Sequence, residues 1–172
     1  MNDNVMKALR ACPLFAGMRE MEIELTLDNV PHQCVSLPPH EVYALAGMPC
    51  RHVDIVVSGK LICRMAALSG KQVEVSRLRS GNLVAPAFFF SKDRCLPVSV
   101  ETEGAVELFR MKPETLKALM DTDETLRMNF IRILSNIDVF LTKKMKILSL
   151  FTVREKVAYL LLERAGEQGS DE

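Results

Sequence analysis

The residues able to do chemistry in this chain are few and dispersed. Histidine occurs three times, at His32, His40 and His52, and cysteine five times, at Cys12, Cys34, Cys50, Cys63 and Cys95. His32 follows Pro31 and His40 follows Pro38-Pro39, so both are expected in turns, where an exposed imidazole ordinarily has no role. Cys50 and His52, separated only by Arg51, stand at the start of an expected strand and are the one place where two strong donors adjoin. An odd number of cysteines without C-x-x-C spacing fits neither a disulfide framework nor a zinc knuckle, and thiolates this scattered do not suit an iron–sulfur cluster. They read as free thiols. An H-x-H motif with a distant Glu and His is absent, which disfavours a cupin-like metal site. Ser/His/Asp and Cys/His constellations, a glycine loop that could cradle phosphate and paired carboxylates on inward strand positions are also missing, so no enzymatic activity is expected.

The most distinctive stretch is apolar: Ala85-Pro86-Ala87-Phe88-Phe89-Phe90, followed by Leu96-Pro97-Val98. Read as a strand, consecutive phenylalanines point to both faces, one into the interior and another outward or toward a later helix. Two readings follow. The rings fill space, or they line a pocket for a large flat apolar ligand, for which haem is the leading candidate because apolar walls and one soft or imidazole donor are what it needs. Met65, Cys95 and His52 are candidate donors beside such a pocket. Most of the other methionines read as pliable core filler.

Positioning these residues takes an α+β fold. Two short helices, Val5 to Arg10 and Met18 to Leu27, flank Pro13 and Gly17. From Val30 the period changes to about eight strands: His32 to Leu37, Glu41 to Leu45, Val53 to Val57, Lys60 to Met65, Gln72 to Leu78, Leu83 to Ala85, Val98 to Thr102 and Val106 to Phe109. Turn residues separate them at Pro38-Pro39, Ala46-Gly47, Ser58-Gly59, Ser69-Gly70 and Ser80-Gly81, and the spacing suggests a small antiparallel barrel or jelly roll. Pro113 opens a short helix through Met120, and Thr122 or Asp123 caps a long one to about Ser149. That helix carries two apolar stripes. Phe130, Ile133, Ile137 and Phe140 are expected on the barrel. Ile131, Leu134, Leu141, Met145 and Leu148 are expected to pair with a second copy as a parallel coiled coil, with Lys143, Lys144 and Lys146 near the C-terminal end of the dipole. Thr152 caps a last helix, Val153 to Ala165, with Val157, Leu160 and Leu161 on one side. The tail GEQGSDE has no means of folding. A helix that begins a new apolar face so near the end reads as the first element of a further domain, and the chain as truncated.

Composition bounds the partners. The 172 residues are 48% hydrophobic and 26% charged, with 22 basic and 22 acidic side chains in balance. That leaves no basic footprint for nucleic acid. No apolar run reaches the roughly 18 residues a membrane helix needs. The N-terminus lacks a basic segment leading into an apolar one, so a cytoplasmic protein without membrane contact is expected.

Order and motifs together resemble the Crp/Fnr family of bacterial transcription regulators. Asp54-Ile55-Val56-Val57-Ser58-Gly59-Lys60-Leu61 looks like its strand, glycine turn and strand; Ser80-Gly81-Asn82-Leu83-Val84 resembles the segment leading into its ligand loop; Phe151-Thr152-Val153-Arg154-Glu155-Lys156-Val157-Ala158 is similar to its junction with a winged-helix domain. The resemblance implies a cyclic-nucleotide-binding-like β-roll with flanking short helices: a sensor domain over 1–122, a dimerisation helix over 123–149 and the first helix of a DNA-binding domain over 150–172. A homodimer would then meet promoter DNA through a C-terminal domain beyond these residues.

Cyclic-nucleotide-binding members use a glutamate for the ribose and an arginine for the cyclic phosphate. Counted from Gly81 without gaps, those places hold Pro86 and Leu96, so cyclic AMP is not expected. The segment Pro86-Ala87-Phe88-Phe89-Phe90 with Pro97-Val98-Ser99-Val100, Asn129-Phe130 and Phe140-Leu141 resembles one subgroup, the regulators of the hybrid cluster protein. That implies a haem-dependent sensor of nitric oxide serving nitrosative-stress genes. With Lys156-Val157-Ala158 as anchor, Met145 falls on the helix seam where a thioether could reach the iron, and Leu141 lies beside it. The alternatives are a sensor for another small apolar ligand and a ligand-free dimerisation scaffold.

Overall fold

The computed structural model describes residues 2–67 and 69–168, with side chains through residue 162. Two compact units divide between Leu134 and Ser135, within one long helix. The first begins with α1 (Asp3–Ala11), a single 3-10 turn at Pro13–Phe15, and α2 (Glu20–Asp28). Asn2 Oδ1 caps α1 by accepting from the Asn4 N–H at 3.1 Å, and Glu22 caps α2 by accepting from the Arg19 N–H at 2.7 Å.

Seven strands follow among the described residues: β1 (His32–Leu37), β2 (Val42–Ala44), β3 (Val53–Ser58), β4 (Leu61–Ala66), β5 (Gln72–Leu78), β6 (Ser99–Thr102) and β7 (Val106–Met111). They form two antiparallel sheets, ordered β1-β7-β3 and β2-β6-β4-β5. Alternation sorts their side chains into two cores. Val56, Val106 and Leu108 from the first sheet meet Leu61, Cys63 and Val100 from the second, filling the roll. The opposite face of the first sheet, with Val53, Ile55, Phe109 and Met111, packs with Leu9, Phe15, Ile23, Leu116, Leu126 and Phe130 of the helices. The fold is thus α+β, as the sequence pattern implies.

Gly59 makes the β3–β4 turn at φ +80°, and a Cβ there would collide with the Ala105 carbonyl oxygen. The turn after Pro38-Pro39 places His40 at φ +58°. Three local expectations are corrected. Leu83 makes only an isolated bridge with Ile55, so the expected strand Leu83 to Ala85 does not form. His32 is the first residue of β1 and not a turn residue, because its backbone pairs with Met111 and its ring stacks on Phe109 at 4.9 Å. Phe88, Phe89 and Phe90 are not a strand, for reasons given below.

After β7 come α3 (Pro113–Thr122), α4 (Glu124–Leu150) and α5 (Val153–Gln168). Asp123 is the α4 cap, its Oδ1 accepting from the Leu126 N–H at 3.0 Å. The buried Asn129 side chain donates to the Leu14 and Ala16 carbonyls at 3.0 and 2.8 Å, tying α4 to the N-terminal 3-10 turn. Phe130, Ile133 and Leu134 join the helical core, so Leu134 is half-buried in its own chain, whereas Ile131 in the same expected seam is exposed.

In the second unit, Leu141, Met145 and Leu148 of α4 are exposed, and Ile137 is partly covered. Thr152 and Glu155 cap α5 reciprocally, with the Thr152 N–H donating to Glu155 Oε2 at 2.7 Å and the Glu155 N–H to Thr152 Oγ1 at 3.4 Å. This holds the Glu155 carboxyl below its usual range. α5 runs past the expected end at Ala165, so Gly166 to Gln168 are helical; the rest of the expected unfolded tail, 169–172, lies outside the described residues. Among the described residues no helix is long and apolar enough to cross a membrane.

Candidate functional site

The candidate site is the segment 81–98 and what it packs against. Its first part lies along β3 through three backbone bonds: Gly81 N–H to Val56 O, Val56 N–H to Asn82 O and Val84 N–H to Asp54 O, at 2.8, 3.0 and 2.9 Å. Ala85 then turns the chain with φ +51°, in the left-handed region that a Cβ disfavours. Pro86 follows as the first residue of a 3-10 turn, Pro86–Phe88, a place where its missing N–H costs nothing. This pair of backbone features breaks the strand that aromatic content alone suggests.

A turn spreads the three rings differently from a strand. Phe89 is fully buried and lies nearly parallel to Phe130 of α4, 6.2 Å between centroids. Phe90 is partly exposed and meets the same ring edge-on at 5.6 Å, while Phe88 is half-buried against the helical core. Farther on, Leu96 exchanges backbone bonds with the 45–50 loop: its N–H donates to Met48 O at 2.9 Å and its carbonyl accepts from Gly47 N–H at 2.8 Å. Its side chain is buried in the core that holds Phe89 and Cys50. Pro86 is half-buried and Leu96 buried.

The remaining candidates are not all gathered here. Met65 is exposed on β4, paired with Val73. Cys95 is exposed, with its N–H on Asp93 Oδ1 at 3.0 Å. His52 lines a separate cleft with Arg110 and Lys112. Leu141 and Met145 belong to the second unit.

All five cysteines are held in the thiol form. Burial pushes Cys12 up to about 12 and also raises Cys34, Cys50 and Cys63; Cys95 is raised by its hydrogen bond and charge relation to Asp93. Thiolate ligation is correspondingly disfavoured. Among the described residues no group of three or more His, Cys, Asp or Glu could hold a metal ion.

One constellation escaped the sequence reading. Asp54, 0% exposed, accepts two bonds from Arg110, at 2.8 and 2.7 Å, and a third from the Tyr43 hydroxyl at 2.7 Å. The β3–β7 register places Asp54 opposite Arg110. Burial, then the Asp54 charge, raises the Tyr43 phenol, which stays protonated and donating. The available signal was a carboxylate inside the β-branched run Val53-Asp54-Ile55-Val56-Val57, since a charge there must find a partner.

A family model described as cyclic nucleotide-binding domain matches residues 34–123. No curated protein matches the chain. Among solved structures it is similar to the catabolite activator protein of Thermus thermophilus, with 21% identity, TM-score 0.71, and 80% of this chain and 63% of that chain covered. The sensor domain of the transcriptional regulator DNR from Pseudomonas aeruginosa aligns at 15% identity and TM-score 0.65, covering 86% of this chain and 94% of that one. The regulatory domain of Toxoplasma gondii PKA, crystallised with cAMP, aligns at 19% identity and TM-score 0.57 over 68% of this chain and 43% of that one.

Proposed function

Because the chain belongs to the cyclic nucleotide-binding domain family, we propose that it is the ligand-sensing and dimerisation part of a Crp/Fnr-type transcription regulator. The observation that carries this reading is the Phe89–Phe130 stack, through which the 85–90 loop bears directly on α4. A ligand that opens the loop must separate those rings and so alters what α4 packs on. Two states that differ in their ligand contacts are what a switch requires. α4 carries the exposed Leu141, Met145 and Leu148 for a second copy, and α5 is read as the entry to a domain that binds promoter DNA. The protein acts in the cytoplasm and is not an enzyme.

Haem is the ligand the resemblance favours. The apolar set Pro86, Phe88, Phe89, Phe90 and Leu96 suits the faces of a porphyrin, with Met65, Cys95 and His52 as the donors proposed from the same unit. When bound, haem supplies an iron that takes nitric oxide, which makes nitrosative-stress genes the targets. This chain's residues would wall the macrocycle from water and transmit the loop's displacement through Phe89 to Phe130. Cyclic AMP is set aside because Pro86 and Leu96 offer its ribose and phosphate neither carboxylate nor guanidinium. A second reading, a ligand-free dimerisation scaffold, is favoured by the complete burial of Phe89.

Titration with haemin, then nitric oxide, read by absorption, tests the assignment. A saturable Soret band is expected, and Phe89→Asp should weaken uptake. Absorption that never saturates supports the scaffold, and thermal protection by cyclic AMP but not haemin overturns the haem reading.

A further inference from the structure

At the end of the β1-β7-β3 sheet a cavity of about 200 Å³ opens among His32, Gln33, His52, Arg110 and Lys112. We propose that this cleft binds a phosphate, either the free ion or a monoester of a small molecule. The register gathers the basic groups: His32 and Val53 both pair with Met111, so the ends of three strands bring His32, His52 next to Val53, and Lys112 next to Met111 into one row. Arg110 stands one residue further in, paired with Gln33 and Asp54.

Arg110 and His32 are held in place. Arg110 is fixed by its two bonds to Asp54. The His32 ring stacks on Phe109, and its Nδ1 lies 3.0 Å from the Val30 carbonyl. A carbonyl only accepts, so Nδ1 carries a proton, and Nε2 donates to an anion only in the imidazolium form. Lys112 is followed directly by the first turn of α3, which has no side-chain cap and carries Glu114, so the positive end of that helix and the lysine are offset in part by one carboxylate.

The carboxylate bonded to Arg110 is already matched. Asp54 is fully buried and spends its acceptors on Arg110 and Tyr43. With Arg110 matched by Asp54, Lys112 and Arg51 are the remaining cations near His52, whose pKa is lowered first by burial, then by Arg110, Arg51 and Lys112, with Asp54 acting the other way. The volume lies below the roughly 300–1,000 Å³ of drug-sized pockets, which suits a small anion. This site does not depend on what the 85–98 segment binds.

The test is an NMR titration of the full chain at constant ionic strength, with inorganic phosphate in one arm, ribose 5-phosphate in another and chloride as control. Phosphate should give saturable shifts confined to His32, His52 and residues 110–112, and should raise the pH at which the His52 ring titrates. Lys112→Gln with His52→Gln should weaken binding at least about tenfold while leaving the rest of the spectrum in place. Tighter binding of ribose 5-phosphate identifies a monoester site, and equal or weaker binding identifies the free ion. Shifts that follow chloride without saturating, or that survive the double substitution, overturn the proposal.

Discussion

The Asp54 carboxylate has no exposed surface, and its stability rests on three directed hydrogen bonds from two side chains. Removing one partner of such a pair strands the other charge, so Asp54→Ala should cost about 3–5 kcal/mol in equilibrium urea unfolding. Replacing Asp54 and Arg110 together with leucine and methionine should cost far less, because no unmatched charge remains. Ala85 is the converse case, a side chain in left-handed backbone at φ +51°. Ala85→Gly should therefore stabilise the chain by about 1 kcal/mol, since glycine carries no penalty there. His52 titrates lower folded than unfolded. Its contribution is present above the unfolded value near 6.5 and is lost as pH falls toward the folded value; His52→Gln should flatten that limb of the stability profile. None of this was legible from residue type alone, because charge pairing across β3 and β7 depends on register.

The strands with alternating β-branched residues were legible, and β1 and β5 begin and end where the pattern places them. The phenylalanine run was not, because high strand propensity competes with a proline whose φ suits a turn and with an alanine whose positive φ no composition announces. On α4 the two-stripe pattern was legible, but its division was not. Leu134 turns partly into its own core, while Ile131, Leu141, Met145 and Leu148 stay exposed. Positions 131, 138 and 145 alternate with 134, 141 and 148 at heptad spacing, with Asp138 the one polar member. Leu141→Glu with Leu148→Glu should convert a dimer to monomers by sedimentation while leaving thermal unfolding of the roll unchanged. Leu134→Glu should instead lower the melting temperature as well, because it places a charge against the helical core.

For the molecule as a whole, 22 basic and 22 acidic side chains leave no net charge to draw a polyanion. These 172 residues alone should bind duplex DNA negligibly, and tight, salt-sensitive retention in a filter or anisotropy assay would contradict that. The balance of charge was read directly from composition, whereas the cationic cleft within it emerges only once β1, β3 and β7 lie side by side. β7 is the last strand in the chain and the middle strand of its sheet, with β1 on one side and β3 on the other. During synthesis, then, β1 leaves the ribosome with no strand to pair with, and β3 with only the 81–84 segment along its other edge. The edges of β1 and β3 that face β7 stay unpaired until residues 106–111 have emerged, and Asp54 is without its arginine until the same moment. Nascent chains arrested before residue 106 should be cut readily by protease, and those extended well past Met111 should resist it, so the roll forms as a late, concerted closure and does not grow strand by strand from the N-terminus.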